Sequence, residues 1–169
     1  SVGSLSDAAL LDRFLAGPSD DAEAAFAILV ERHGPMVLRV CRGVLHDSND
    51  VDDAFQTVFA TLARKADSLW IRDSLGPWLH GVAFRVAEKA RRTSARRKLR
   101  ERSALDRRDA AVDASRIEPD FAATLHEELE RLPSKYKAPV VLFHLEGHSQ
   151  ERTAEVLGWP VGTVKGRLA

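Results

Sequence analysis

The sequence is poor in several residues on which specialised chemistry and extracellular stability depend. Its 169 residues include one cysteine, one methionine and one tyrosine. The single cysteine, Cys41, excludes an internal disulfide and suits a reducing compartment. Its apolar neighbours predict a buried, unreactive thiol. The sequence also lacks an apolar run that could span a bilayer and an amino-terminal signal peptide. We therefore expect a cytoplasmic protein.

The net charge of the whole chain is zero, but its charges are unevenly distributed. The chain has 25 Lys and Arg residues and 25 Asp and Glu residues. Residues 1–67 hold six basic and eleven acidic residues, whereas residues 85–108 hold eleven basic and three acidic ones. This separation of charge indicates that different parts of the chain face different partners.

The basic segment has two faces when it is placed on a helix. Leu79, Val82 and Val86 recur at helical spacing and define an apolar face. A solvated, salt-bridged surface is the ordinary explanation of such charge, but carboxylates are scarce here. A helix that packs into a domain and presses against a polyanion, such as nucleic acid, is favoured. The cationic face, called the basic stripe below, consists of Arg85, Lys89, Arg92 and Arg96.

Helical periodicity continues along the whole chain, and no alternation typical of strands is present. Ser6 can cap a first helix, and Gly34 followed by Pro35 predicts the end of one helix and the start of another. Asp50 can cap a further helix with Val51 inward. We predict an all-α fold with a helical bundle domain over residues 1–102, a flexible linker over 103–120 and a second domain over 121–169.

The second domain closes with the pattern of a helix-turn-helix. Phe121, Leu125, Leu129 and Leu132 share one face of its first helix. Ser149 can cap a short helix that Gly158 ends, and a final helix follows. An ordinary helical hairpin is the alternative. Small outward residues bordered by cations would let the final helix approach a DNA groove closely. These outward and flanking residues are Gly162, Thr163, Lys165, Gly166 and Arg167.

Three segments together resemble a known family. They are DVDDAFQTVFATLARK, GPWLHGVAFRVAEKARRTSARR and LERLPSKYKAPVVLFHLEGHSQERTAEVLGWPVGTVKGRLA. In this order and spacing they are similar to the conserved blocks of the extracytoplasmic-function (ECF) sigma factors, two-domain bacterial transcription initiation factors. The resemblance implies that the chain binds core RNA polymerase, recognises two promoter elements and melts the one at −10. It also implies a polymerase-binding surface at Asp52, Asp53, Gln56 and Thr57, where Thr57 replaces the usual glutamate.

The same resemblance implies two DNA-binding surfaces. The segment Leu69, Trp70, Ile71 and Arg72 would receive a flipped base of the melted −10 strand, because stacking on aromatic rings tolerates any base. Arg85, where the family often has asparagine, Lys89, Arg92 and Arg96 would bind the −10 backbone. Arg152, Gly162, Thr163, Lys165, Gly166 and Arg167 would read the −35 duplex. The family continues beyond Ala169, so we expect a truncated end, and an anti-sigma factor is a candidate partner.

Two other functions compete with this interpretation. An enzyme is suggested by the dipeptide His46-Asp47 and by His144 and His148, whose spacing suits zinc. The dipeptide lies in a helix-breaking cluster where capping is commoner, and the histidine pair lacks a third ligand. We therefore expect no catalysis, no metal and no cofactor. A helix-turn-helix regulator that binds DNA without polymerase is the nearer alternative.

Overall fold

A computed structural model describes residues 5–71, 73–105 and 121–169, and all regular structure within these ranges is helical. The all-α prediction is confirmed. None of the described helices is long and apolar enough to cross a membrane. The α-helices are α1 (Asp7–Leu15), α2 (Asp20–Val44), α3 (Ser48–Lys65), α4 (Gly76–Leu105), α5 (Phe121–Arg131), α6 (Ser134–Val140), α7 (Gln150–Leu157) and α8 (Val161–Leu168), with a 3₁₀ turn at Ala66–Ser68 and a π-helical turn at Val141–Leu145.

Helices α1–α4 enclose one apolar core. Ser6 caps α1 as predicted, because its hydroxyl accepts a hydrogen bond from the Ala9 amide at 3.2 Å. Cys41 is completely buried, as predicted, and burial raises the pKa of its thiol to about 11, which disfavours the reactive thiolate. The largest fully buried apolar side chains of this core are Leu10, Leu29, Met36, Leu62, Leu75 and Leu79.

Two predicted helix boundaries are wrong. Pro35 lies inside the continuous helix α2 rather than at the start of a new one. The residues on both sides, Leu29 and Val37, are fully buried, and this burial offsets the backbone hydrogen bond that proline cannot donate. Asp47, not Asp50, caps α3, since its carboxylate accepts hydrogen bonds from the amides of Asn49 and Asp50.

Helices α7 and α8 form the predicted helix-turn-helix. The Ser149 hydroxyl accepts a hydrogen bond from the Arg152 amide at 3.0 Å. Gly158 ends α7 in the left-handed conformation with φ of 66°, which glycine adopts without strain. Leu157 and Val164 are buried, as is Leu142 of the π-helical turn, and α7 contacts both α8 and this turn.

Helix α5 buries a different face from the one that its leucines suggested. Phe121 is 81% exposed, and Leu125 and Leu132 are also exposed. The buried residues of α5 are His126 and Leu129. The reason is that α5 packs against α2 and α4 of the first domain, so its polar histidine faces inward and part of its apolar face remains outside.

Candidate functional site

The basic stripe lies on the exposed side of α4. Arg85 and Arg92 have side chains that are 64% and 72% exposed, and Lys89 and Arg96 are exposed as well. Arg92 lies 3.4 Å from Glu88 on its own helix. Among the described residues, no carboxylate lies within ion-pair distance of Lys89 or Arg96. Arg85 lies 3.7 Å from Glu130 of α5, so Lys89 and Arg96 are the members of the stripe that are most open to phosphates.

The predicted polymerase-binding residues are brought together on α3. Asp52, Asp53, Gln56 and Thr57 are all exposed, and the Thr57 hydroxyl donates a hydrogen bond to the Asp53 carbonyl at 2.7 Å. Asp53 and Thr57 also line an open groove between α3 and α4, where they face Lys89. The acidic surface of α3 thus borders the basic stripe directly.

The side chains of the segment after the 3₁₀ turn differ in their exposure to solvent. Leu69 and Ile71 pack partly against the core of the first domain, whereas Trp70 is 79% exposed. Arg72 lies outside the described residues. Trp78 is partly buried against the core of the first domain. Of the described residues in the predicted base pocket, Trp70 offers the most open surface.

The outer face of α8 is open as predicted at its small residues. A β-carbon added at Gly162 or Gly166 would meet nothing within 4 Å, and Lys165 is exposed. Arg167 differs, because its guanidinium lies 4.2 Å from the centre of the Trp159 ring and donates a hydrogen bond to the Lys135 carbonyl.

Two further residues of the predicted −35 surface differ in exposure. Arg152 is exposed and hydrogen-bonds to Glu155 at 2.7 Å, whereas Thr163 is only partly exposed. The helix therefore offers a small-residue face with one open cation, Lys165, and one cation held by its own domain.

Sequence reasoning missed a buried charged cluster where the two domains meet. His33 on α2 contacts the carboxylate of Asp7 at 2.9 Å and that of Glu146, from the second domain, at 2.5 Å. Burial alone favours neutral imidazole, but the two carboxylates outweigh it and raise the pKa of His33 to about 9. Asp7 also accepts hydrogen bonds from Arg32 and from the Leu75 amide, and its pKa is lowered despite its burial.

A second missed cluster lies between α4 and α5. The Nδ1 atom of His80 lies 2.6 Å from the Glu130 carboxylate, and its Nε2 atom lies 3.0 Å from Nδ1 of His126. Burial and the nearby His80 lower the pKa of His126 to about 4, so this ring is neutral at pH 7. Glu130 is partly buried, but His80 and Lys137 hold its pKa at about 2. A hydrogen bond thus joins His80 of the first domain to the Glu130 carboxylate of the second domain.

The histidines that suggested an enzyme are not assembled into a metal site in the described ranges. The π-helical turn that carries His144 ends before Gly147, so His144 and His148 do not share a helical face. His148 lies 3.7 Å from Glu146. Within residues 5–71, 73–105 and 121–169, no group of three or more His, Cys, Asp or Glu side chains is placed to hold a metal ion.

Comparison with known proteins agrees with the two-domain arrangement. The family model described as Sigma-70 region 2 matches residues 29–97, and the one described as Sigma-70, region 4 matches residues 122–169. The chain is 32% identical to the ECF RNA polymerase sigma factor SigM of Mycobacterium tuberculosis over 97% of this chain and 80% of that protein. It is 28% identical to the ECF RNA polymerase sigma-E factor of Haemophilus influenzae over 97% and 90%, respectively. A solved structure of CnrH with the cytosolic domain of CnrY has 24% identity and a TM-score of 0.47, covering 96% of this chain and 89% of that one.

Proposed function

Because this chain belongs to the ECF RNA polymerase sigma factors, which bind core polymerase and direct promoter recognition, we propose that three of its surfaces divide this work. The exposed face of α3 binds core polymerase. The basic stripe and Trp70 bind the −10 element, and the outer face of α8 reads the −35 element. The boundaries at residues 102 and 120 remain a prediction, as does regulation by an anti-sigma factor.

One observation carries this assignment. A stripe of exposed cations on α4 and a small-residue face on α8 lie in separate domains of one chain. Phosphate contacts along α4 would supply affinity and register, while the close approach of α8 to a major groove would supply sequence readout. The chain itself would perform no catalytic step and would require no cofactor, since its contribution is binding and positioning. Run-off transcription with core polymerase on a promoter library tests this assignment, and duplex binding of equal strength without polymerase would contradict it.

The proposed polymerase-binding surface predicts a separable defect. Replacing Asp53 and Gln56 together with alanine should weaken binding to core polymerase about tenfold or more, because an exposed acid and an exposed amide are removed from an interface. Surface substitutions of this kind leave stability within about 0.5 kcal/mol. Titration of labelled core enzyme measures the affinity, and circular dichroism checks the fold.

Asp12→Ala controls for the loss of one acidic charge, since Asp12 is exposed on α1, away from α3. If the double variant and Asp12→Ala bound core polymerase equally well, the assignment of this surface to α3 would be wrong.

Trp70 predicts a defect in strand opening rather than in initial binding. Trp70→Ala should spare the closed complex and reduce opening several-fold to a hundredfold, because stacking of one base on an aromatic ring contributes about 1–3 kcal/mol. Permanganate reactivity of promoter thymines measures opening, and a gel shift measures the closed complex. A template with a pre-melted bubble should remove the defect or convert it into weaker bubble binding.

Phe121→Ala provides the matched control, because Phe121 is a similarly exposed aromatic residue in the other domain. Normal permanganate reactivity in the Trp70 variant would assign the tryptophan to loop packing and would place base capture elsewhere in the segment.

A further inference from the structure

Helix α8, which presents the proposed −35 surface, is a weak helix by itself. It has eight residues, and two of them, Gly162 and Gly166, are glycines, which disfavour helical structure. Of its residues, all of which the structure describes, only Val164 is buried. One buried valine does little to fix the rotation of a helix about its axis, because apolar burial is not directional. The orientation of the small-residue face of α8 therefore depends on further contacts.

Arg167 makes two such contacts from the last turn of α8. Side chains on a helix incline toward its amino-terminal end, so a long side chain from this turn reaches back toward the residues that precede the helix. There its guanidinium lies 4.2 Å from the centre of the Trp159 ring, in the turn between α7 and α8. Its Nη1 atom also donates a hydrogen bond of 3.3 Å to the Lys135 carbonyl on α6. One side chain thus joins α8 to two other parts of the domain.

The Lys135 carbonyl is available to Arg167 because of a proline. In an α-helix a carbonyl accepts a hydrogen bond from the amide four residues later, which for Lys135 is residue 139. Pro139 lies inside α6 and has no amide hydrogen. Arg167 therefore donates to a carbonyl that lacks its usual helical donor. The sequence supplies the free acceptor on α6 and the matching donor on α8 together.

The two cations of α8 differ in their surroundings. Lys165 is exposed, whereas Arg167 is only partly exposed. A planar guanidinium can stack on an aromatic ring with its face while it donates hydrogen bonds from its edge, and the compact ammonium group of lysine does not reproduce this geometry. The contacts of Arg167 therefore use the property that distinguishes arginine from lysine, whereas an exposed phosphate contact requires only a positive charge.

We propose that Arg167 is a positioning residue for recognition of the −35 element and not a DNA contact. Stacked on Trp159 and hydrogen-bonded to the Lys135 carbonyl, it forms a clasp that fixes the orientation of α8, so that the small-residue face meets the major groove. Lys165 supplies the phosphate contact of this helix. This inference rests on the proposed function of α8 in reading the −35 element.

The dependence of binding on DNA sequence tests the positioning role. The full chain with core polymerase is bound to a promoter that the wild-type chain selects from the library, and to the same promoter with a scrambled −35 element. The ratio of the two affinities is the discrimination. Arg167→Lys keeps the charge but loses the stacked, hydrogen-bonded geometry, so it should lower the discrimination by roughly fivefold or more. A phosphate contact would instead tolerate lysine, and full discrimination in Arg167→Lys would overturn the proposal.

The dependence of binding on salt counts the phosphate contacts of α8. Lys165→Gln should lower the slope of log affinity against log salt by about 0.9, which corresponds to one contact. Adding Arg167→Gln to this variant should lower the slope no further, because the clasp makes no phosphate contact. A total loss of about 1.8 in the double variant would assign a second phosphate contact to Arg167 and would overturn the proposal.

A double-mutant cycle tests the coupling between Arg167 and Trp159. Trp159→Leu should lower the discrimination by itself, and Arg167→Lys should then have little further effect, because the stacking is already lost. Trp159→Phe keeps an aromatic face and should retain most of the discrimination. Arg131→Lys is the control, because the exposed Arg131 pairs with Glu127 and Glu128 on its own helix, and it should leave the discrimination unchanged. Additive losses at Trp159 and Arg167 would contradict the clasp.

Proton NMR of the full chain without DNA gives a signature of the clasp itself. The ring current of Trp159 should shift the guanidinium protons of Arg167 upfield, and Trp159→Leu should remove this shift. Absence of the shift in the wild-type chain would overturn the clasp whatever the DNA-binding results. Failure of the wild-type chain to discriminate against the scrambled element would instead contradict the function proposed for α8, and with it the positioning role, even if the shift were present.

Discussion

Replacing Asp7 with alanine is expected to lower the free energy of unfolding by about 3–5 kcal/mol. The substitution leaves the His33 imidazolium buried with one carboxylate instead of two, and removal of one partner from a buried ion pair has a cost of this size. It also removes the acceptor of the Leu75 amide and a partner of Arg32. Urea denaturation followed by circular dichroism measures the change.

Asp12→Ala on the same helix is the control, because Asp12 is exposed and its replacement should change stability by less than about 0.5 kcal/mol. Equal stabilities of the two variants would mean that Asp7 does not support His33 in the folded protein.

The dependence of stability on pH distinguishes the charged cluster from simple packing. The folded state raises the pKa of His33, which faces Asp7 and Glu146 with Arg32 nearby, from 6.5 to about 9. Its contribution is therefore fully present below about pH 6.5 and is lost as the pH rises through 9. Wild-type stability should fall on this alkaline side, and Asp7→Ala should flatten the fall because His33 then loses one of its two carboxylates.

The cluster of His80, His126 and Glu130 should have the opposite effect on the dependence of stability on pH. The folded state lowers the pKa of His126, which faces His80 and Glu130, from 6.5 to about 4. Its contribution is present above about pH 6.5 and is lost as the pH falls through 4. Wild-type stability should therefore be highest near pH 6.5, and its slope between about pH 6.5 and 4 should be unchanged in Asp7→Ala. Below this window Asp7→Ala should flatten the fall, because the lowered pKa of Asp7 gives a stabilising contribution that protonation of this carboxylate removes. A variant that altered both sides equally would contradict the assignment of the alkaline side to His33.

Replacing Lys89, Arg92 and Arg96 with glutamine should weaken promoter binding by the polymerase complex on the order of 100-fold at 0.1 M salt. Each phosphate contact contributes about 0.9 to the slope of log affinity against log salt, so three lost contacts should reduce that slope by about 2.7. Because phosphates are present before and after melting, duplex and pre-melted templates should be affected alike. Glutamine keeps the helix propensity of α4 close to that of lysine and arginine.

Exposed cations away from the stripe supply a control of equal charge. Arg13 on α1, Arg42 on α2 and Lys98 on α4 are exposed, and Lys98 lies about 150° round the helix from the stripe, so their replacement with glutamine should leave the salt slope nearly unchanged. Equal slopes for the two triple variants would show that net charge, rather than the stripe, determines DNA binding.

The parts of the fold that could be predicted are those specified by neighbouring residues. Ser6, Ser149 and Gly158 begin or end helices as expected, because a cap or a left-handed glycine acts within one turn of the chain. The boundary at Pro35 was wrong because burial on both sides of it outweighs a local preference for breaking the helix.

The meeting of the two domains could not be predicted in the same way. His33 and Glu146 are 113 residues apart in sequence, and His80 and Glu130 are 50 apart, so no local spacing links them. The sequence did carry one weaker indication of this interface. Gly43 and Gly81 lie inside helices, where glycine is disfavoured, and a β-carbon at these positions would contact His126 and Glu130 of the second domain, respectively. The roles of the exposed residues on α3, α4 and α8 remain predictions, because exposure and charge do not identify a partner.

Because one chain connects Leu105 to Phe121, the packing of the second domain on the first, called docking here, is a unimolecular equilibrium. A short connection of this kind gives an effective concentration on the order of millimolar. Two separate domains with a dissociation constant of about 0.1 mM would then be docked roughly ten to one in the intact chain. A tenfold weakening, about 1.4 kcal/mol, would leave half of the molecules open. The loss of a single hydrogen bond between the domains changes the free energy by about this amount. The same two domains, mixed as separate chains at micromolar concentration, would remain apart.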